Sequence, residues 1–172
     1  MKKTLSITCL SALLFASCSV WQSALKSTFP YKTILTVPKS SPVNTLLSVA
    51  GTAKSFDQDF NKNGNNADQV KNVRVVSAKI ISDDPSDFEM RKFSAIKVYI
   101  SKADSSAEVP VASRTDITPM LGGSLVLDID NSHTLDEEVR DPNVRIRMEY
   151  QLRNHIDVNA HLRLVLWVRA SL

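Results

Sequence analysis

Two runs near the end of the chain alternate apolar and polar residues with a period of two. In the first, Val144, Ile146, Met148, Tyr150 and Leu152 are interleaved with Arg145, Arg147, Glu149, Gln151 and Arg153. In the second, Val158, Ala160, Leu162, Leu164, Leu166 and Val168 are interleaved with Asn159, His161, Arg163, Val165, Trp167 and Arg169. Successive side chains of a strand point to opposite faces, so both runs predict strands with one buried face. The expected arrangement is a long antiparallel pair. Both apolar rows are buried only if even numbers face even numbers, because a slip of one residue turns every side chain over. Pairing Glu149 with Arg163 and Arg145 with Trp167 also avoids setting Arg145 opposite Arg169, a like-charge pair.

The preceding sequence reads as further strands: Lys32–Val37, Thr45–Ala50, Lys71–Ser82, Ser94–Lys102, Glu108–Ser113 and Ser124–Asp130. Turn chemistry separates them, at PKSSP (residues 38–42), Asp83-Asp84-Pro85, Asp104-Ser105-Ser106 and Gly122-Gly123. A polar loop, FDQDFNKNGNNAD, fills residues 56–68. One short helix is predicted over Leu135–Arg140, where Thr134 and Glu137 have capping-box spacing and Asp141-Pro142 ends the run. With four glycines and no internal repeat, the chain does not read as a propeller. The expected fold is all-β, an immunoglobulin-like antiparallel β-sandwich of about seven to eight strands.

The N-terminus has a different character. Met1-Lys2-Lys3 is a short basic start, and Leu5–Phe15 is apolar or small throughout. Such a run falls short of the roughly 20 residues that span a bilayer, and it ends in small residues, as a secretory signal does. Phe15-Ala16-Ser17-Cys18 resembles the lipobox of bacterial lipoprotein signals, with Phe15 where that motif prefers Leu. The resemblance implies cleavage before Cys18 and fatty acylation of the cysteine, of the palmitate type. Residues 1–17 are then a lipoprotein signal peptide, 18–31 the lipidated cysteine and a tether, and 32–172 a single domain. Removing residues 1–17 from 172 leaves 155, enough for one real core. Cys9 leaves with the signal and Cys18 becomes a thioether, so the mature chain carries no thiol and no disulfide. Ser19 after the cysteine lacks the Asp that resembles an inner-membrane retention signal. The expected location is the outer membrane of a bacterial envelope, facing the periplasm.

Charge narrows the partners. The formal charge of +3 becomes about +1 without Lys2 and Lys3, which argues against a nucleic-acid binder. The first acidic residue is Asp57, whereas Lys26, Lys32, Lys39 and Lys54 precede it. A basic segment next to an anchor suits anionic head groups, and equally a solvated linker.

The stretch from Asp68 to Ser101 resembles bacteroidete-type β-sandwich lipoproteins of unassigned activity. The residues that carry the resemblance are Val70-Lys71, Asp87-Phe88 and Ile96-Lys97-Val98-Tyr99-Ile100. It extends through the C-terminal strands and implies a β-sandwich with a lipid anchor; it implies no activity.

Reactive constellations are few. Asp59, Asn61 and Asn63 with Gly64 stand at the first, third, fifth and sixth positions of an EF-hand-like calcium loop. The twelfth position, which needs a bidentate Glu, is Val70, and Asn-rich segments are ordinary turn material. The reading is a loop and no metal. His133, His155 and His161 are too far apart for a metal signature, and Gly123-Ser124 is no nucleophile elbow. No cofactor is expected, and the chain is read as not an enzyme. The surface singled out is the polar side of the expected hairpin, where Arg145, Arg147, Arg163 and Arg169 surround Trp167. Arg beside Trp is enriched at binding hot spots. The expected function is a membrane-anchored module binding an envelope protein or glycan; the alternative is a module binding lipid head groups or a small ligand through the same basic face.

Overall fold

The computed structural model describes residues 27–54, 70–118, 122–141 and 143–171. Among the described residues, nine strands form two antiparallel sheets: β1 (Ser27–Val37), β2 (Leu46–Lys54), β3 (Lys71–Asp84), β4 (Phe93–Lys102), β5 (Val109–Arg114), β6 (Ser124–Val126), β7 (Asp128–Ile129), β8 (Asn143–Leu152) and β9 (Ala160–Ser171). The four-stranded sheet has the order β1-β9-β3-β6, and the five-stranded sheet β2-β8-β4-β5-β7. The sheets pack face to face as a β-sandwich.

The pairings are nested. β1 pairs with β9, β2 with β8, β3 with β6 and β4 with β5. A long two-stranded ribbon has been rolled so that alternate pairs fall in opposite sheets. β9 then also pairs with β3, and β8 with β4. This is the jelly-roll arrangement; the likeness to an immunoglobulin domain extends to two packed antiparallel sheets and not to its strand order.

The alternation read from the sequence is borne out over Val144–Leu152 and Ala160–Val168, but Val158 precedes β9 and is 47% exposed, and the hairpin drawn from the two rows is corrected. Val144, Ile146, Met148, Tyr150 and Leu152 are buried from β8, and Ala160, Leu162, Leu164, Leu166 and Val168 from β9. These rows face each other across the core from opposite sheets. Neither Glu149 with Arg163 nor Arg145 with Trp167 is a pair: Glu149 lies between Ser48 and Lys97, and Trp167 between Pro30 and Ser77. Period-two burial fixes which side of a strand is inside but not which sheet it joins. The connection between β8 and β9 is long enough to cross the roughly 10 Å between sheets.

Other boundaries differ as well, β2 running on to Lys54 where the strand was expected to end at Ala50. β1 starts at Ser27, so residues 27–31 of the expected tether are strand, with Tyr31 in the core. The expected strand Ser124–Asp130 is split: β6 pairs with β3 in one sheet, and β7 with β5 in the other. The expected helix over Leu135–Arg140 is a 3₁₀ turn limited to Glu138–Arg140. Its backbone is engaged elsewhere: the Leu135 amide donates to the Val73 carbonyl at 2.8 Å, and the Asp136 carboxylate accepts from the Val73 amide at 2.7 Å. A segment this short does not sustain a helix on its own.

Aromatic contacts close one end of the core. Phe93 meets Phe88 and Tyr150 edge to face, each with centroids 5.9 Å apart. The buried Tyr150 hydroxyl shares a 2.9 Å hydrogen bond with Ser41 Oγ. At an open edge β1 and β2 cross, and Gly51 fits there because a Cβ would overlap Thr33 Oγ1 and stand 3.1 Å from the Ile34 carbonyl oxygen.

Candidate functional site

The two sheets turn different surfaces outward. On the five-stranded sheet the odd residues of β8 point out, and Arg147 is the centre of an ion network. Its Nε lies 2.8 Å from both carboxylate oxygens of Glu108, and its Nη1 donates to Glu149 Oε1 at 2.7 Å. The Tyr99 hydroxyl donates to Glu149 Oε2 at 3.0 Å, and the guanidinium stands over the Tyr99 ring, 4.3 Å from its centroid. Arg145 reaches Glu108 Oε1 at 3.3 Å.

Each charge in this network is met. Hydrogen bonding from Arg147 holds the Glu108 and Glu149 carboxyls below the usual carboxylate range. Hydrogen bonding to Glu108, then Glu149, pushes the Arg147 pKa up. Burial, reinforced by the bond to Glu149, raises the Tyr99 phenol, which stays protonated and donates.

The four-stranded sheet is built from the same period-two logic but with other residues on its outer side. Across β1, β9 and β3 the rows are Thr28–Arg169–Arg74, Pro30–Trp167–Ser77, Lys32–Val165–Lys79, Ile34–Arg163–Ile81 and Thr36–His161–Asp84. β6 extends two of them, setting Val126 beside Lys79 and Ser124 beside Ile81. Ile34 is 45% exposed, Trp167 41% and Val126 59%. A contiguous apolar patch rimmed by charge marks an interaction surface more often than scattered single residues do.

Charge on this face is graded. Arg163 is paired with Asp83, and Asp84 stands next to His161, so the acidic residues gather at one end. Lys32 and Lys79 in the middle row, and Arg169 toward the other end, have no ion-pair partner among the described residues. Arg74 there donates to the Asn131 carbonyl.

The five residues singled out from the sequence are thus divided. Arg145 and Arg147 lie on the outer face of the five-stranded sheet, and Arg163, Trp167 and Arg169 on that of the four-stranded sheet. The sandwich separates them, so they do not form one binding face. Glu108, which neutralises Arg147, and Ile34, Lys79 and Val126 on the face that carries Trp167 were not singled out, and Lys32 was named only within the basic segment before Asp57. Their signal was present in part, since Lys32, Ile34 and Thr36 alternate with the buried Tyr31, Thr33, Leu35 and Val37.

Compared with known proteins, the chain matches no family model and no curated protein. The resemblance to bacteroidete-type lipoproteins therefore rests on the strand pattern alone.

A cleft of about 620 Å³ lies at the end of the sandwich where β1 finishes, lined by Pro85, Asp87, Phe88, Lys92, Ile156 and Asp157 among others. The three histidines do not converge. His161 is bonded to Thr36 Oγ1 at 2.9 Å, His155 stands 3.6 Å from Asp157, and His133 is bonded to Ser132. Among the described residues no group of three or more His, Cys, Asp or Glu is placed to hold a metal. Cys18, Asp59, Asn61 and Asn63 lie outside the described residues.

Proposed function

We propose that the chain is a lipid-anchored protein of a bacterial outer membrane that faces the periplasm and works by binding rather than by catalysis. The observation that carries the binding reading is the outer face of the four-stranded sheet, where Trp167, Ile34 and Val126 are exposed among Lys32, Lys79 and Arg169, cations without ion-pair partners among the described residues. Jelly rolls host capsid, lectin and cupin domains alike, so the fold itself selects no activity. The lipid anchor is supported by the basic start, the short apolar run and the small residues before Cys18.

Both parts are open to direct test. Cys18→Ala should move the protein out of the membrane fraction; retention there would contradict the anchor. Trp167→Ala should weaken capture of the chain's envelope partner, whether protein, glycan or head-group layer, whereas Arg147→Met should leave capture by the folded protein intact. Equal capture by all three forms would remove the four-stranded face from consideration.

A further inference from the structure

The face around Trp167 fits one occupant better than the others. Along β9, Trp167 has Arg169 on one side and Val165 on the other; across the sheet it meets Pro30 and Ser77, with Lys32 and Lys79 on the diagonals. A tryptophan with apolar neighbours and a ring of lysine and arginine is the composition that settles at a head-group boundary. The indole there faces both acyl chains and water, while long cationic side chains reach phosphate.

Position along the strands agrees. Of the cations without an ion-pair partner among the described residues, Arg169 lies at the start of β1 and Lys32 and Lys79 at its middle, whereas Asp83 and Asp84 lie toward its end. Eight residues, 19–26, separate Cys18 from Ser27. Fully extended, that link reaches at most about 30 Å. Trp167 pairs with Pro30, only three residues into β1, or roughly 10 Å along the strand. A chain lipidated at Cys18 therefore keeps the start of β1, with Arg169 and Trp167, close to its own bilayer, and leaves the acidic end farther out.

We propose that the outer face of the four-stranded sheet lies on the anionic phospholipid surface to which the chain is anchored. Trp167, Ile34 and Val126 enter the head-group boundary, and Lys32, Lys79 and Arg169 meet lipid phosphates. The proposal names the partner of the face described above and rests on the lipid-anchor reading. Each cation near an anionic surface strengthens contact about fivefold, so the three together give about a hundredfold.

The test uses the full chain carrying Trp21→Phe, which leaves Trp167 as its one tryptophan. It is purified from membranes and reconstituted into vesicles of phosphatidylcholine, alone or with phosphatidylglycerol, whose acyl chains carry bromine as a quencher. On phosphatidylglycerol vesicles Trp167 emission should shift to the blue and be quenched, and added salt should reverse both changes. Lys32→Glu/Lys79→Glu/Arg169→Glu should abolish them at unchanged circular dichroism; the salt reversal in the unaltered face decides the matter if that variant does not fold. Water-like emission on both lipids, equal quenching on both, or a shift that needs an added envelope protein or glycan would each overturn the proposal. The anchor is read separately, from retention on vesicles through a high-salt wash. A chain that washes off contradicts the anchor alone, whereas a retained chain with unquenched Trp167 contradicts the face contact alone.

Discussion

The two outer faces of the sandwich have the same strand geometry and opposite chemistry. On the five-stranded sheet, Arg147, Glu108, Glu149 and Tyr99 satisfy one another, and the side chains of Arg147, Glu108 and Glu149 are only 17–23% exposed. On the four-stranded sheet, large apolar side chains stand in the open beside Lys32, Lys79 and Arg169, which have no ion-pair partner among the described residues. The first arrangement holds a surface together. The second leaves apolar area and charge for something outside the chain. The lesson is that an arginine-rich strand does not by itself mark a binding face; what decides is whether a carboxylate is placed across the sheet from it.

That contrast can be broken first at Arg147. Arg147→Met leaves Glu108 and Glu149 facing each other without their shared partner, in a partly covered site. The expected loss is about 2 kcal/mol of unfolding free energy, measured by urea titration. A loss no larger than for an exposed arginine such as Arg169 would show that the network is ornamental.

Acid probes the same network with a smaller effect. Glu108 and Glu149 have folded pKa values below their unfolded ones, so the stability they contribute is full above the ordinary carboxylate range and is lost as pH falls through the folded values. Unfolding free energy should therefore drop as pH falls below the ordinary carboxylate range. Glu108→Gln/Glu149→Gln should be less stable at neutral pH and show a flatter decline. An equally steep decline in that variant would assign the acid sensitivity to other carboxylates.

Ser101 lies in the row beside Arg145 but outside the network. It is 1% exposed, and its hydroxyl has no hydrogen-bond partner among the described residues. Ser101→Ala removes an unsatisfied polar atom, so the protein should gain up to about 1 kcal/mol. A clear loss, read from the same titrations, would mean that the hydroxyl is bonded after all.

Least is expected from the open face. Trp167→Ala and Lys79→Ala should each change stability by less than about 0.5 kcal/mol, as substitutions of exposed side chains usually do. A loss of several times that from Trp167→Ala would place the indole within the structural framework, like Arg147.

The sequence made part of this legible for a definite reason. Alternation at residues 144–152 and 160–168 reports which side chains are inside, and burial followed it residue by residue. The partner of each strand is a long-range matter. β9 finds β1, more than 120 residues away, through an eleven-residue register that no local pattern announces. Placing both Arg-bearing strands in one hairpin therefore merged two faces that the rolled topology keeps apart. Glu108 was hidden for the same cause: it sits just before β5, and only the pairing of β5 with β4, and of β4 with β8, brings it to Arg147. At 135–140 the capping spacing was genuine, but hydrogen bonds to β3 overrode it.

The division between the faces is tested most directly by crossing stability with lipid contact in two variants. Arg147→Met and Lys32→Glu/Lys79→Glu/Arg169→Glu are unfolded in urea and, in parallel, scored for Trp167 quenching on phosphatidylglycerol vesicles in the Trp21→Phe background. The first variant should lose stability and keep its quenching; the second should keep its stability and lose quenching. If Arg147→Met loses quenching while still folded, or the charge-reversed variant loses stability as Arg147→Met does, the two faces do not divide the work.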